Sequence, residues 1–217
     1  MKRKMQRFVT VSTAAALSLA MAVPGSAAYQ PEQKFQDVSR SASYYEDVMD
    51  ANYYGLMAGV SGKTFDTEST ITRAMWVTML YKMAGQPAVQ SKDTFTDVKT
   101  GDWFAQAATW AVEQGITAGY EDGSFGVNQT ITRQEMAVMV KNFARSTGKK
   151  FPAINDPVTF RDQGQIASWA KESVALCQRA DILNGDAESG RFRPGDRATR
   201  AEAASIVYKY IENTEFD

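Results

Sequence analysis

The sequence predicts an all-α protein in which three tandem helix-loop-helix repeats form a single pseudo-threefold domain. The chain repeats itself, and this is the first of three observations behind that prediction. Shifting the chain by 60 residues places Phe35-Gln36-Asp37-Val38 on Phe95-Thr96-Asp97-Val98, Gly55 on Gly115, Gly59 on Gly119, Phe65 on Phe125, and Ile71-Thr72-Arg73 on Ile131-Thr132-Arg133, with no gap. A third copy starts at Phe160-Arg161-Asp162 and continues through Trp169, Ile182, Gly185, Phe192 and Thr199-Arg200. Fixed-period self-similarity of this kind marks stacked supersecondary units. Second, each Thr-Arg is followed by apolar residues at i, i+3, i+4 and i+7, the stripe of an amphipathic helix. The three sets are Trp76, Met79, Leu80 and Met83; Met136, Met139, Val140 and Phe143; and Ala203, Ile206, Val207 and Tyr210. Third, helices of about 12 to 15 residues are marginal alone, and a unit of about 60 residues is a poor core by itself. The units are therefore expected to bury their second helices against one another.

Taken from the N-terminus, Lys2, Arg3, Lys4 and Arg7 precede an apolar run from Val9 to Val23 and then Pro24-Gly25-Ser26-Ala27-Ala28. This pattern predicts a signal peptide over residues 1–28, cleaved after Ala28. The run falls short of the roughly 20 apolar residues a membrane span needs, so no membrane insertion is expected after cleavage. Without those four cations the chain has 20 Lys and Arg against 25 Asp and Glu, a net charge of about −5, which argues against nucleic acid or an anionic membrane as partner. Residues 29–34 form a short N-terminal segment, and the repeats are assigned to 35–91, 92–156 and 157–217. Gly85 to Thr94 and Gly148 to Thr159, with Pro87, Pro152 and Pro157, read as connectors.

Within each repeat an Asp-containing opening leads into a first helix, a glycine turn, a loop with one aromatic, and the second helix. In the middle repeat Trp103, Ala107, Trp110 and Ala111 are spaced as one core-facing stripe. Thr132 with Glu135, and Thr199 with Glu202, read as capping boxes. Met75 takes the acid's place in the first copy, leaving Thr72 to cap alone. The arginine after each Thr is unexplained by capping. Arg73, Arg133 and Arg200 fall at the first helical position, where the helix dipole disfavours a cation. Two compensations are open. One is an ion pair with the repeat's own acid, Asp37, Asp97 or Asp162. The other is an external anion held by the guanidinium and by free N–H groups at the helix start, with Gly59, Gly119 and Gly185 letting a loop backbone approach closely. Carbohydrate is a reasonable carrier of such an anion, because Tyr44, Trp103, Phe104 and Trp169 lie near the first-helix starts and aromatics stack on sugar rings. Trp110 reads as core.

Other chemistry is restricted. The chain has no histidine, which excludes Ser-His-Asp and Cys-His sites and the usual zinc sites. Cys177, the single cysteine, sits in an apolar stretch and reads as a small buried hydrophobe. A calcium loop at Asn184, Asp186 and Glu188 would need a bidentate acid where Gly195 stands. A glycosidase pair such as Asp97 and Asp102 would need a cleft that three equivalent packing units do not leave. No cofactor or metal is implied, and no enzyme.

Phe-x-Asp-Val, a Trp or Tyr opening a helix, Gly-Ile-x-x-Gly, a Gly-x-Phe loop and Ile-Thr-Arg-x-Glu, written three times from Phe35 to about Asn213, resemble the S-layer homology domain of bacteria. The resemblance implies an all-helical, three-pronged spindle that attaches exported proteins noncovalently to the bacterial cell wall. It implies binding of a secondary cell wall polysaccharide, often one bearing ketal-linked pyruvate, in grooves between neighbouring repeats. The contacts it implies are Arg73, Arg133 and Arg200; Asp37, Asp97 and Asp162; Trp103 and Trp169; and Gly59, Gly119 and Gly185. The same fold without a polymer ligand, used for self-association or another surface-protein partner, is the alternative. Departures from the pattern are Met75, Ser43 followed by Tyr44 in the Trp103 slot, Gln163 after the third Asp, and Asp181 in place of the glycine before Ile182. These departures make Arg133 and its surroundings the strongest expected site.

Overall fold

The computed structural model describes residues 33–216. The expected signal peptide and residues 29–32 lie outside the described residues. Each repeat supplies two helices: α1 (Tyr45–Tyr53) and α2 (Arg73–Met83), α3 (Ala105–Glu113) and α4 (Arg133–Ser146), α5 (Lys171–Arg179) and α6 (Arg200–Asn213). A 3-10 turn over Gln163–Gln165 and a two-residue antiparallel pair, β1 (Lys149–Lys150) with β2 (Glu215–Phe216), complete the described elements. The all-α prediction holds. The small pair adds a tie between the second connector and the C-terminal segment.

The second helices start where their capping chemistry dictates. Thr132 accepts from the Glu135 N–H at 3.4 Å while the Glu135 carboxylate accepts from the Thr132 N–H at 2.8 Å. Thr199 and Glu202 repeat this at 3.2 and 3.0 Å. Thr72 accepts from the Met75 N–H at 3.3 Å with no reciprocal acid. The first helices are nine residues each and lack a side-chain cap. They end on a residue in the left-handed region: Gly55 at φ 70°, Gly115 at φ 64°, and Asp181 at φ 56°. Asp181 thus reproduces the turn of the glycines, as a short polar side chain can, and its carboxylate accepts from Asn184 and Asn155.

Apolar positions on the second helices are buried as the stripes predict, with Met83 partly so. Their main partners differ from the expected ones. Instead of burying chiefly against one another, α2 packs on α3, α4 on α5 and α6 on α1, so each second helix lies against the first helix of the next repeat and the third returns to the first. The cause is a hub of backbone bonds just ahead of the second helices. Ile71 N–H donates to Ala198 (3.0 Å), Ala198 to Ile131 (3.0 Å) and Ile131 to Ile71 (3.1 Å). The hub ties the helices at their N-termini, leaving each flank to the following repeat. Second helices still meet through the Phe143 and Tyr210 rings, 5.2 Å apart. Trp103 departs from the core stripe only: it precedes α3 and is 64% exposed, whereas Ala107, Trp110 and Ala111 of that stripe are buried. Cys177 is core as predicted, and burial pushes its thiol up to about 12.

Each repeat seats its leading phenylalanine ring on the glycine of its turn. A β-carbon on Gly59, Gly119 or Gly185 would lie 2.5, 2.3 or 2.5 Å from a ring carbon of Phe35, Phe95 or Phe160. Loop carbonyl oxygens crowd the same space, Thr64 O at 2.5 Å, Ser124 O at 2.8 Å and Arg191 O at 2.8 Å, so ring and backbone together require a glycine here. Gly119→Ala is therefore expected to destabilise the protein by about 1–3 kcal/mol, read as a lower urea midpoint.

At the α6–α1 interface Asp50 is buried with its Oδ1 unpartnered. Burial first, then the charges of Glu46, Asp47 and Glu212, raise its carboxyl to about 6, against about 3.9 in an unfolded chain. The folded state holds that proton more tightly, so this group's contribution to stability grows as pH falls through 6 toward about 4. Asp50→Asn should stabilise the protein at pH 7, with the gain shrinking at pH 5. Paired urea midpoints for the two proteins at each pH check this.

Candidate functional site

Each seam between repeats is built around the arginine that opens a second helix. Its foundation is the acid at the start of the following repeat. Asp97 accepts the N–H groups of Phe125, Gly126 and Val127 at 2.6, 2.8 and 2.9 Å. Asp37 accepts those of Phe65 and Asp66, and Asp162 those of Phe192 and Arg193, at 2.7 to 2.9 Å. Burial pulls these carboxyls up, but the backbone donors outweigh it and hold all three below the usual range.

With its N–H fixed, each loop phenylalanine turns its carbonyl toward the preceding repeat. Arg73 Nε donates to Phe125 O (3.1 Å), Arg133 Nε to Phe192 O (2.9 Å), and Arg200 Nε to Phe65 O (2.8 Å). The Nη2 of each reaches a second carbonyl one residue before the turn glycine, namely Ala118 (3.1 Å), Asn184 (2.6 Å) and Ala58 (2.6 Å). The guanidinium carbons lie 5.2, 5.1 and 4.7 Å from the ring centroids of Phe125, Phe192 and Phe65, within cation–π range.

This geometry answers both open compensations for the arginine. The acid of the same repeat is not its partner, since the arginine reaches into the next repeat and the acids are taken by backbone N–H groups. Free N–H groups at the helix starts are also absent. The first and second helical N–H groups donate across the seam: Arg73 to Gln129 and Ala74 to Val127, Arg133 to Asp196 and Gln134 to Pro194, Arg200 to Ser69 and Ala201 to Thr67. The third is taken by the capping Thr. Carbonyl oxygens of the neighbouring repeat offset the unfavourable dipole.

The three arginines then diverge. Arg133 is 3% exposed and its Nη1 pairs with Glu202 at 2.7 Å. Burial lowers its pKa and the Glu202 charge opposes that. Arg193 shares the same carboxylate at 2.9 Å. Arg73 is 5% exposed, has Glu135 at 4.0 Å from Nη1, and lies 4.9 Å beneath the Tyr120 ring. Arg200 is only half-buried and has no carboxylate ion pair among the described residues, because Met75 stands where Glu135 and Glu202 stand. Arg133, the strongest expected site, is the most enclosed and internally neutralised of the three.

Trp103 and Trp169 are 64% and 57% exposed. Gln134, in the first turn of α4, accepts the Ala167 N–H at 3.0 Å and so holds the segment leading to Trp169 against the seam. In the first repeat the matching Ser43 is exposed, and Tyr44 is half-buried against the core. Sequence reasoning missed the loop phenylalanine carbonyls and the second role of Glu202. A signal was present, since the leading Asp and loop Phe recur 28, 28 and 30 residues apart.

Fold and seams together define a tandem-repeat helical module whose units are fastened by arginine. The family description "S-layer homology domain" matches residues 34–74, 94–137 and 159–204, and the chain belongs to that family. It is 34% identical over 161 residues to an exoglucanase, XynX, of Acetivibrio thermocellus, covering 73% of this chain and 14% of that protein. A cellulosome-anchoring protein of the same organism is 27% identical over 186 residues, covering 83% and 39%. The surface-layer 125 kDa protein of Lysinibacillus sphaericus is 25% identical over 217 residues, covering 99% and 18%. The chain therefore spans a minor part of each of these relatives. Among the described residues no helix is long and apolar enough to cross a membrane.

Removing a buried charge partner leaves the other groups unsatisfied. Arg133→Ala should cost about 3–5 kcal/mol, and Arg200→Ala only about 1–2 kcal/mol. Urea unfolding of the two variants beside the parent protein checks the order.

Proposed function

We propose that this chain is a non-enzymatic anchor that holds noncovalently to the bacterial cell wall by binding an anionic secondary cell wall polysaccharide at the seams between repeats. A sugar bearing ketal-linked pyruvate fits this reading, since it offers a ring face for an aromatic and a carboxylate for a guanidinium. Family membership supports anchoring at the cell surface, as do relatives named as a cellulosome-anchoring protein and surface-layer proteins. The observation that carries the carbohydrate reading is the pair of tryptophans, Trp103 and Trp169, placed in matching positions ahead of α3 and α5 with more than half their surface in solvent. The core has no use for that surface, and large aromatics with an apolar face are suited to binding.

In this reading Trp103, Trp169 and Arg200 contact the polymer. Asp37, Asp97, Asp162, Arg73 and Arg133 act by fixing the seams, and Gly59, Gly119 and Gly185 by seating the phenylalanine rings beside them. More than one engaged seam on a repeating polymer raises the effective affinity without new contacts.

The test is co-sedimentation with cell-wall sacculi that retain their polysaccharide and with sacculi stripped of it. The protein should pellet with the first only. Trp103→Ala and Trp169→Ala should each weaken binding about tenfold, or about 1.4 kcal/mol, with unchanged melting temperatures. Equal pelleting with stripped walls would contradict the reading.

A further inference from the structure

The second position of each second helix is a buried alanine in two repeats, Ala74 and Ala201, and a glutamine in the other, Gln134. The alanines offer the next repeat only a backbone N–H, to Val127 O and Thr67 O. Gln134 offers more. Its N–H donates to Pro194 O at 3.1 Å, and its side-chain Oε1 accepts the Ala167 N–H at 3.0 Å. Ala167 opens the turn that presents Trp169. Its carbonyl accepts the Ala170 N–H at 2.9 Å, Ile166 and Ala170 are buried, and Ser168 and Trp169 between them are exposed. A second residue of α4 holds the far side of that turn, since Lys141 pairs with Glu172 in the first turn of α5. The segment ahead of Trp103 is held differently. Lys99 N–H donates to the Asp102 carboxylate at 2.8 Å and Asp102 N–H to Lys99 O at 2.9 Å, both within the repeat. Among the described residues no hydrogen bond or ion pair from α2 reaches residues 99–106.

We infer that Gln134 is a positioning residue for polymer binding: by fixing Ala167 across the seam it holds Trp169 ready for a sugar ring, and it makes the second seam the pre-organised contact of the chain. The inference rests on the carbohydrate reading proposed above and adds to it a residue that need not touch the ligand. An N–H at a partly buried position is costly to leave without an acceptor, and the Gln134 oxygen is the one acceptor of the Ala167 N–H among the described residues. Fixing a long, flexible side chain costs entropy that an alanine does not lose. The sister helices fold with alanine, so the fold does not require that cost, and what it brings is order at Trp169. An aromatic restricted before it binds loses less freedom on binding. Gln134 also follows Arg133, the fastener of the same seam, so the bond between repeats and the presentation of the exposed ring are carried by neighbouring residues of one helical turn.

Gln134→Ala places in α4 the residue that both sister helices carry, so the fold should survive it. Gln134→Met keeps the length of the side chain and loses the acceptor. By NMR on the full chain, both variants should speed amide exchange at Ala167 at least about tenfold and mobilise the Trp169 indole, with the Trp103 indole unchanged. Gln134→Glu, which retains an acceptor oxygen at the same reach, should restore both readouts. In calorimetry with the soluble polysaccharide released from the walls, Gln134→Ala should weaken binding about threefold. That loss should vanish in a Trp169→Ala background and persist in a Trp103→Ala background, as expected of residues that act through one another. Parent-like exchange at Ala167 and parent-like indole order in both Gln134→Ala and Gln134→Met overturns the inference, and so does an equal loss in the two tryptophan backgrounds. Both results leave binding by the parent protein intact. Failure of the parent protein to bind the polysaccharide overturns the proposed function itself.

Discussion

One residue per repeat, the loop phenylalanine, holds this structure together. Its N–H is fixed by the acid at the start of its own repeat, and its C=O receives the arginine of the repeat before it. A bond made within a repeat thus sets the direction of a bond made between repeats. Buried guanidinium groups are tolerable only when every edge is occupied, and here carbonyls, rings and two glutamates occupy them. Because Arg200 returns to the first repeat, 135 residues away at Phe65, the contacts close into a ring. An open solenoid needs capping units to cover its ends; this arrangement covers them with one another.

Much of this was legible in the sequence where the interaction is local. The capping boxes at Thr132 and Thr199 follow from a spacing of three residues, and the stripes on α2, α4 and α6 from helical periodicity. What was not legible depends on which repeat lies beside which. Identical phrases in three copies do not say whether Arg133 looks to Asp97 in its own unit or to Phe192 in the next. The core reading of Trp103 failed for a different reason: a periodicity count treats any aromatic as a core residue, and this one stands two residues ahead of the helix. The glycines illustrate a third case. Their need for space was read correctly, and loop carbonyls do come close, but the ring of Phe35, Phe95 or Phe160 of the same repeat, which the sequence reading did not foresee, shares that space.

Met75 shows how a departure from a repeat changes the seam it faces. Read along the chain, it is the loss of a capping acid and the mark of a weak copy. Read in the fold, it removes the internal counter-charge from Arg200, the least buried of the three seam arginines. That arginine lies in the seam that also closes the ring, where Asp50 is buried among Glu46, Asp47 and Glu212 without a base to offset it. The α6–α1 junction therefore combines a carboxyl held protonated to about pH 6 with an arginine that has no carboxylate ion pair among the described residues. All three seams fasten neighbouring repeats through a pair of loop carbonyls, and the third does so without a carboxylate ion pair to its arginine among the described residues.

The central claim is that the three arginines, equivalent in sequence, all fasten neighbouring repeats, and we propose that Arg200, the least buried, is the one that also meets the polymer. Side-chain Nε–H resonances of Arg73, Arg133 and Arg200, followed by NMR during titration with a carboxylated glycoside, test it most directly. The account predicts that Arg73 and Arg133 are protected from solvent exchange throughout and do not shift, while Arg200 alone moves with the ligand. A shift at Arg133 equal to or larger than that at Arg200 would contradict it.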